Sequence, residues 1–402
     1  MGILYTHFIL PLTEPEQHAG LPGRLRRIKK FDRMSERQQR KIQQDRLRNL
    51  LEHAYTTVPF YRRRFDDAGF HPREARVDQP LPLPVLTRED LRNAATWLVS
   101  SDFPADKLRV ALSGATNRVP TRFHRDIEGI RDKVALKMKL DEWAGFHAGD
   151  SAMMLWGAAS NLASEFNSRW RVNEGVFMRQ TPPPPGVVGI DVLEKWRWRY
   201  EKQRPKVLYG RATVLAAFAS YLRERGATHR PSAVISTAEV LSLTHRRLLA
   251  SVFKSAPFNY YGRRDVGMIA AECSEHEGLH FHPWGSFVEF DPIAQSPDGP
   301  VYRLLVTDLL NYGQPFIRFD TGDCVTLTEQ SCSCGRWFPL VGRIVGRLSK
   351  SEIVANGAVV PNITFHDPLN PMKAPVQPVL ALPERRKRAV SRPPQKTRAL
   401  SA

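Results

Sequence analysis

Four short segments of this 402-residue chain carry side chains whose types and spacing suit chemistry. The first, "ALSGATNRVPTRF" at 111–123, sets Ser113, Gly114 and Thr116 in a polar turn ahead of Arg118. Backbone N–H groups in such a turn can cradle phosphate oxygens, hydroxyls add donors and a nearby cation neutralises charge. Polar turns of this composition are common, so a plain turn is the competing reading. The second, "APFNYYGRRDVGMIAAEC" at 256–273, places Tyr261 and Gly262 at a strand end with the carboxylate of Asp265 beyond them. That arrangement suits an aromatic wall beside a metal-binding acid; a strand-turn with buried tyrosines accounts for it equally well. The third, "VTDLLNYGQPFIRFDTGDCVTL" at 306–327, presents Asp323 after a Thr-Gly turn. A carboxylate there can accept from both hydroxyls of a ribose, or it can be an ordinary turn residue.

The fourth segment begins "CSCGRWFPLVGR" at 332. Cys332 and Cys334 form a C-x-C pair, and Cys273 with His280 forms C-x6-H about sixty residues earlier. Cysteine and histidine in two clustered pairs are the ligand types of a closed tetrahedral Zn2+ site, which would clamp two distant loops. Two thiols and a surface histidine without a metal are the alternative. Cys324 reads as a packed strand cysteine.

These residues need elements to position them. Ser35 with Gln38 three residues on predicts a capped helix carrying Ile42, Leu47, Leu50, Leu51 and Ala54. Pro59 should end it, a shorter helix should close at Gly69, and Thr87 should cap another. From about residue 108, short apolar runs ("LRVAL", "SAMMLWG", "PKVLYG", "PSAVIST", "FNYYG") read as buried strands alternating with helical stretches. That alternation predicts an α/β fold with mixed or parallel sheets. Beyond 278 the text turns β-rich, and from about 366 it becomes Pro- and Arg-rich with little periodicity, a tail without a packed core. "PPPP" at 182–185 reads as a stiff loop.

Composition narrows the options. The net charge of +18 invites a nucleic-acid reading, but residues 22–48 and 366–402 hold +14 of it. Neither stretch interleaves aromatics with its charges as a base-stacking surface would, so a solvated helix face and a basic tail are expected and no specific nucleic-acid partner. No apolar run reaches the ~20 residues of a transmembrane segment. The opening "MGILYTHFILPL" lacks the basic start and cleavage site of a signal peptide, and its Gly2/Thr6 match to a lipidation pattern is too short to weigh. Four cysteines are too few for a disulfide scaffold, which points to a cytoplasmic protein.

The order of these segments, with "LLEHAYTTVPFYRRRFDDAGF" and "PLPVLTREDL" near the start, resembles the phenylacetate–CoA ligase-like branch of the adenylate-forming enzymes over roughly residues 35–362. The resemblance implies the large domain of that fold: mixed sheets flanked by helices, a small β-rich subdomain and a helical N-terminal segment. It implies ATP-dependent activation of a small carboxylic acid to an acyl-adenylate and then a coenzyme A thioester, and Trp156 with the tyrosines at 209, 260 and 261 would suit an aromatic acid. Carried across by position, Ser113, Gly114 and Thr116 hold phosphates, Tyr261 and Gly262 border the adenine and acyl pocket, Asp265 assists Mg2+, and Asp323 with Arg347 binds the ribose. Cys273, His280, Cys332 and Cys334 match a zinc site seen in part of the family.

The chain departs from that pattern in four places. Asn117 stands where the phosphate loop has a second glycine, Arg264-Asp265 where a small hydroxyl residue and glutamate are usual, and Ser349-Lys350 where the hinge is acidic. Only a short stretch follows Arg347 in place of the family's C-terminal lid with its catalytic lysine. The expected organisation is an N-terminal extension at 1–34, the large domain at 35–345, a hinge and lid remnant at 346–365 and the tail at 366–402. A homodimer or partner chain would then supply a lid. A catalytically silent relative or truncated gene product, serving as a binding or assembly component linked to polysaccharide biosynthesis, is the alternative to a working ligase.

Overall fold

The structure, a computed structural model, describes residues 15–94, 96–113, 121–156, 189–296, 299–328, 330–348, 353–355, 358–360, 363–365 and 377–378. Gly114, Thr116, the prolines at 182–185, Ser349, Lys350 and nearly all of 366–402 lie outside the described residues.

Local rules set the helical start. Helix α1 (Leu21–Asp32) is followed by α2 (Glu36–Thr57), where Ser35 and Gln38 form the reciprocal capping box. Pro59 opens α3 (Pro59–Ala68), and Gly69 closes it at a φ of 56°. A second box, Thr87 with Asp90, starts α4 (Arg88–Asn93). α1 falls within the stretch read as an extension, yet it buries Leu21, Leu25, Ile28 and Phe31. They join a core shared with α5 (Ile127–Asp141), and its basic residues pair across to that helix, Arg24 with Glu128 and Asp132.

Strands β1 (Leu108–Leu112) and β2 (Arg122–Asp126) form a separate antiparallel hairpin. Here the expectation of a buried strand fails: only Leu108 of β1 is buried, while Val110 and Leu112 are 48% and 44% exposed. Among the described residues the run pairs with a single strand and nothing covers its outer face.

Strands β3 (Ala152–Leu155), β4 (Val207–Arg211), β5 (Ala233–Thr237) and β6 (Phe258–Arg263) run parallel in that order. Helices α6 (Ile190–Gln203), α7 (Ala212–Arg225) and α8 (Leu243–Phe253) cover one face through Trp196, Tyr200, Leu215, Phe218, Leu249 and Phe253. Gly210 lets β4 approach β3 closely, since a Cβ there would meet the Leu155 carbonyl oxygen at 2.4 Å.

The pairing sense reverses at β6. Its other neighbour, β7 (Gly267–Glu272), is antiparallel, as are β8 (Leu279–Phe281), β12 (Leu340–Leu348), β11 (Phe319–Leu327), β10 (Gly299–Asp308) and β9 (Ser286–Ser296), which continue the same sheet. The architecture is therefore mixed α/β. Strand Ile363–Phe365 pairs with the end of β12, and Ile353–Ala355 forms a hairpin with Ala358–Val360.

Candidate active site and metal cluster

The candidate site lies where β6 turns into β7 and faces β11. Strand alternation points Tyr261 to the side of β11, where its hydroxyl donates to Asp323 Oδ2 at 2.6 Å. Asp323 lies opposite Arg347 in the β11–β12 ladder, and Arg347 Nε donates to Asp323 Oδ1 at 3.0 Å. The residues read as a ribose pair from two distant segments are thus brought together by sheet register.

Arg263 joins this pair to Asp265. Its Nε and Nη2 donate to the two oxygens of Asp265, each at 2.9 Å. Nη1 donates to Asp323 Oδ2 and to the Thr321 carbonyl oxygen, both at 2.8 Å. All three side chains are only 5–6% exposed. Burial pushes the Asp265 carboxyl up, but Arg263 and then Arg88 outweigh it and hold the group below the usual carboxylate range. The same contest at Asp323 is decided the same way by Arg263 and Arg347. Both acids are therefore ionised at neutral pH. The Tyr261 hydroxyl, buried and beside Asp323, is pushed well up and stays protonated as the donor.

Two further elements converge here. Leu86 forms a parallel bridge with Phe319, which sets Arg88, at the start of α4, beside the Asp323 network. Burial, then Arg263 and Arg347, push the Arg88 guanidinium down. The β1–β2 hairpin arrives from the other side. Ser113 and Thr121 are bonded twice across the 114–120 segment: the Ser113 N–H donates to Thr121 O at 2.8 Å and its Oγ accepts from Thr121 N at 2.9 Å. Arg264 Nη1 donates to Leu112 O at 3.3 Å, and Arg125 donates to Arg264 O, tying the hairpin to the Arg264–Val266 turn.

Neither Arg263 nor Arg88 is among the site residues assigned from the sequence. Consecutive arginines beside an otherwise apolar strand were the available signal. Tyr260 and Tyr261 do not share a pocket. Tyr260 packs with α5 and donates to Leu140 O at 2.9 Å, while Tyr261 belongs to the core on the other face. Successive strand residues point to opposite faces, so only one of them can border any one ligand. Trp156 sits against Tyr209 on the Tyr260 side, with ring centroids 6.2 Å apart.

The cysteines and histidine also meet. Cys273 follows β7, His280 lies in β8, and Cys332 and Cys334 come from the loop before β12. Their ligand atoms lie within 4.8 Å of one another, with Cys273 Sγ 3.6 Å from Cys332 Sγ and Cys334 Sγ 3.4 Å from His280 Nε2. Burial and the Arg336 guanidinium push His280 down to about 4, so its imidazole is neutral, the form that ligates metals. Burial and the neighbouring sulfurs push the Cys332 thiol up, a penalty a bound cation would relieve. Glu277 accepts from the Ser333 N–H at 2.8 Å and from its hydroxyl at 2.9 Å, pinning the C-x-C loop. This cluster could hold a metal ion. Cys324 is buried in β11 as a packing residue.

The fold is that of the adenylate-forming CoA ligases. An open conformation of 2-hydroxyisobutyryl-CoA ligase, in complex with 2-HIB-AMP and CoA, superposes with a TM-score of 0.62 over 81% of this chain and 79% of that one, at 18% identity. The phenylacetate–coenzyme A ligase of Thermus thermophilus is 27% identical over 336 residues, spanning 80% of this chain and 73% of that protein. The Aromatoleum evansii enzyme of the same name is 30% identical over 339 residues, with the same two shares of 80% and 73%. No protein-family model matches the chain. The chain belongs to the phenylacetate–coenzyme A ligase family. Among the described residues, no helix is long and apolar enough to cross a membrane.

Proposed function

We propose that this chain activates a carboxylic acid with ATP and passes the acyl group to coenzyme A. In the first step a carboxylate oxygen bonds to the α-phosphorus and pyrophosphate leaves; in the second the thiol attacks the acyl carbon and AMP leaves. Family membership is the observation that carries this reading. Such transfers depend on positioning and charge neutralisation more than on a protein nucleophile, and the site offers both. Asp323 Oδ1 accepts only from Arg347 among the contacts above and keeps a lone pair for a ribose hydroxyl, with Arg347 half exposed beside it. Ser113, with Gly114 and Thr116, is assigned to the phosphates, and Tyr261 with Gly262 to the wall of the adenine and acyl pocket.

Cys273, His280, Cys332 and Cys334 are assigned a structural Zn2+, which fixes the loop leading into β12, the strand that carries Arg347. Free thiolate ligands suit a reducing cytoplasm.

Exchange of labelled pyrophosphate into ATP, with a panel of aryl and alkyl acids, tests the proposal. Acid-dependent exchange supports it and identifies the acid class. Absence of ATP binding refutes it and leaves the second reading, a relative that keeps the scaffold without the chemistry. The observation favouring that second reading is the tie between Arg263 and both acids of the site.

A further inference from the structure

We infer that Arg263 takes the place of a divalent cation between Asp265 and Asp323, so that Asp265 does not ligate Mg2+. The resemblance reads Asp265 as the magnesium carboxylate, but the residues present do not fit that ion. Arg263 holds Asp265 bidentately, in the plane where a carboxylate offers its lone pairs, and bonds Asp323 with a third N–H. A fourth N–H, also on Nη1, donates to Thr321 O at 2.8 Å and anchors the guanidinium to the backbone of β11. An ion placed ~2.0–2.1 Å from an Asp265 oxygen would sit against this fixed positive charge in a buried site. The position that two carboxylates would otherwise offer a cation already holds one.

The charge count points the same way. Arg88, Arg263 and Arg347 surround two carboxylates, leaving a net positive site. Arg88 makes no hydrogen bond to another described residue and remains available to an anionic ligand. A phosphate group there meets guanidinium directly, not through a metal bridged to Asp265. What that ligand is rests on the nucleotide reading above; the cation replacement does not.

Manganese titration followed by electron paramagnetic resonance, on zinc-loaded protein without nucleotide, tests the inference. The wild type should take up no Mn2+ at micromolar concentration, or the same amount as Asp265→Asn. Arg263→Met frees both acids and should gain about one tightly held equivalent, lost again in the Arg263→Met/Asp265→Asn double variant. One equivalent bound by the wild type and abolished by Asp265→Asn overturns the inference. The wild type and Asp265→Asn decide the matter if Arg263→Met does not fold. Calorimetry with ATP in EDTA judges the nucleotide reading separately, since loss of that heat leaves the manganese result standing.

Discussion

Replacing Asp323 with asparagine probes the centre of the site. The carboxylate accepts from Tyr261, Arg263 and Arg347 at 2.6, 2.8 and 3.0 Å. An asparagine keeps one acceptor oxygen and turns an NH2 toward donors, so at least one of these bonds is lost and a donor–donor contact replaces it. Hydrogen bonds to charged groups contribute about 1.5–3 kcal/mol each, and breaking one partner of a buried ion pair costs about 3–5 kcal/mol. Arg347 is 44% exposed, so its share is screened and most of the loss falls on Arg263. Asp265 still compensates Arg263, which keeps the expected loss near the lower limit, about 3 kcal/mol.

Urea unfolding at constant m-value measures that loss, and its pH dependence has a definite sign. The folded-state carboxyl lies below its ordinary value of 3.8, so its stabilisation is present above the unfolded value and is lost as pH falls through the folded one. The gap between wild type and Asp323→Asn should hold steady from neutral pH to about pH 5 and narrow only below 3.8. A gap under about 1 kcal/mol at neutral pH, the magnitude of an exposed pair, would refute the account of a buried network. So would a gap that fails to close in acid.

Other expectations are more local. Cys332→Ser should lower bound zinc, measured by atomic emission, from about one equivalent toward zero, because three ligands with one soft donor removed no longer close a tetrahedral site. Gly129→Ala should destabilise by about 2 kcal/mol although alanine is ordinarily the better helix former. The added Cβ would meet the Leu310 carbonyl oxygen at 2.4 Å, and a raised urea midpoint would show that α5 is not held against that loop. Thr87→Ala removes the box that starts α4 and should cost about 1 kcal/mol, read from the same midpoint.

What could be read from the sequence was mostly local. The Ser35–Gln38 box and the Thr87 cap are written within four residues, and both occur as expected. That Cys273, His280, Cys332 and Cys334 form two pairs was legible from their spacing, but nothing in either pair says that β8 and β12 are neighbours and bring the four together. Arg263 was not legible as the tie between two acids. Its contact with Asp265 depends on the hairpin turn, and its contact with Asp323 depends on the packing of β11 some sixty residues away. β1 misled because apolar composition marks a strand without saying how many layers cover it. The sequence offers Tyr260 and Tyr261 together for an aromatic acid, though period-two alternation already sets them on opposite faces.

The reversal of pairing sense explains why these distant segments meet. Strand β6 is parallel to β5 and antiparallel to β7, so it is the last strand reached by a helical crossover and the first to turn back through a tight hairpin. Crossover helices occupy the ends and faces of the parallel half, whereas a hairpin leaves its turn open to other elements. The turn at 264–266 therefore faces outward from the sheet, where the β1–β2 hairpin reaches it through Arg125 and Leu112. Arg263, on the β6 arm, is directed toward β11 at the same place. A charged group at this position is desolvated by elements from both halves of the fold at once. That is why an arginine here can be fully engaged by two buried carboxylates, with Arg88 placed beside the same network.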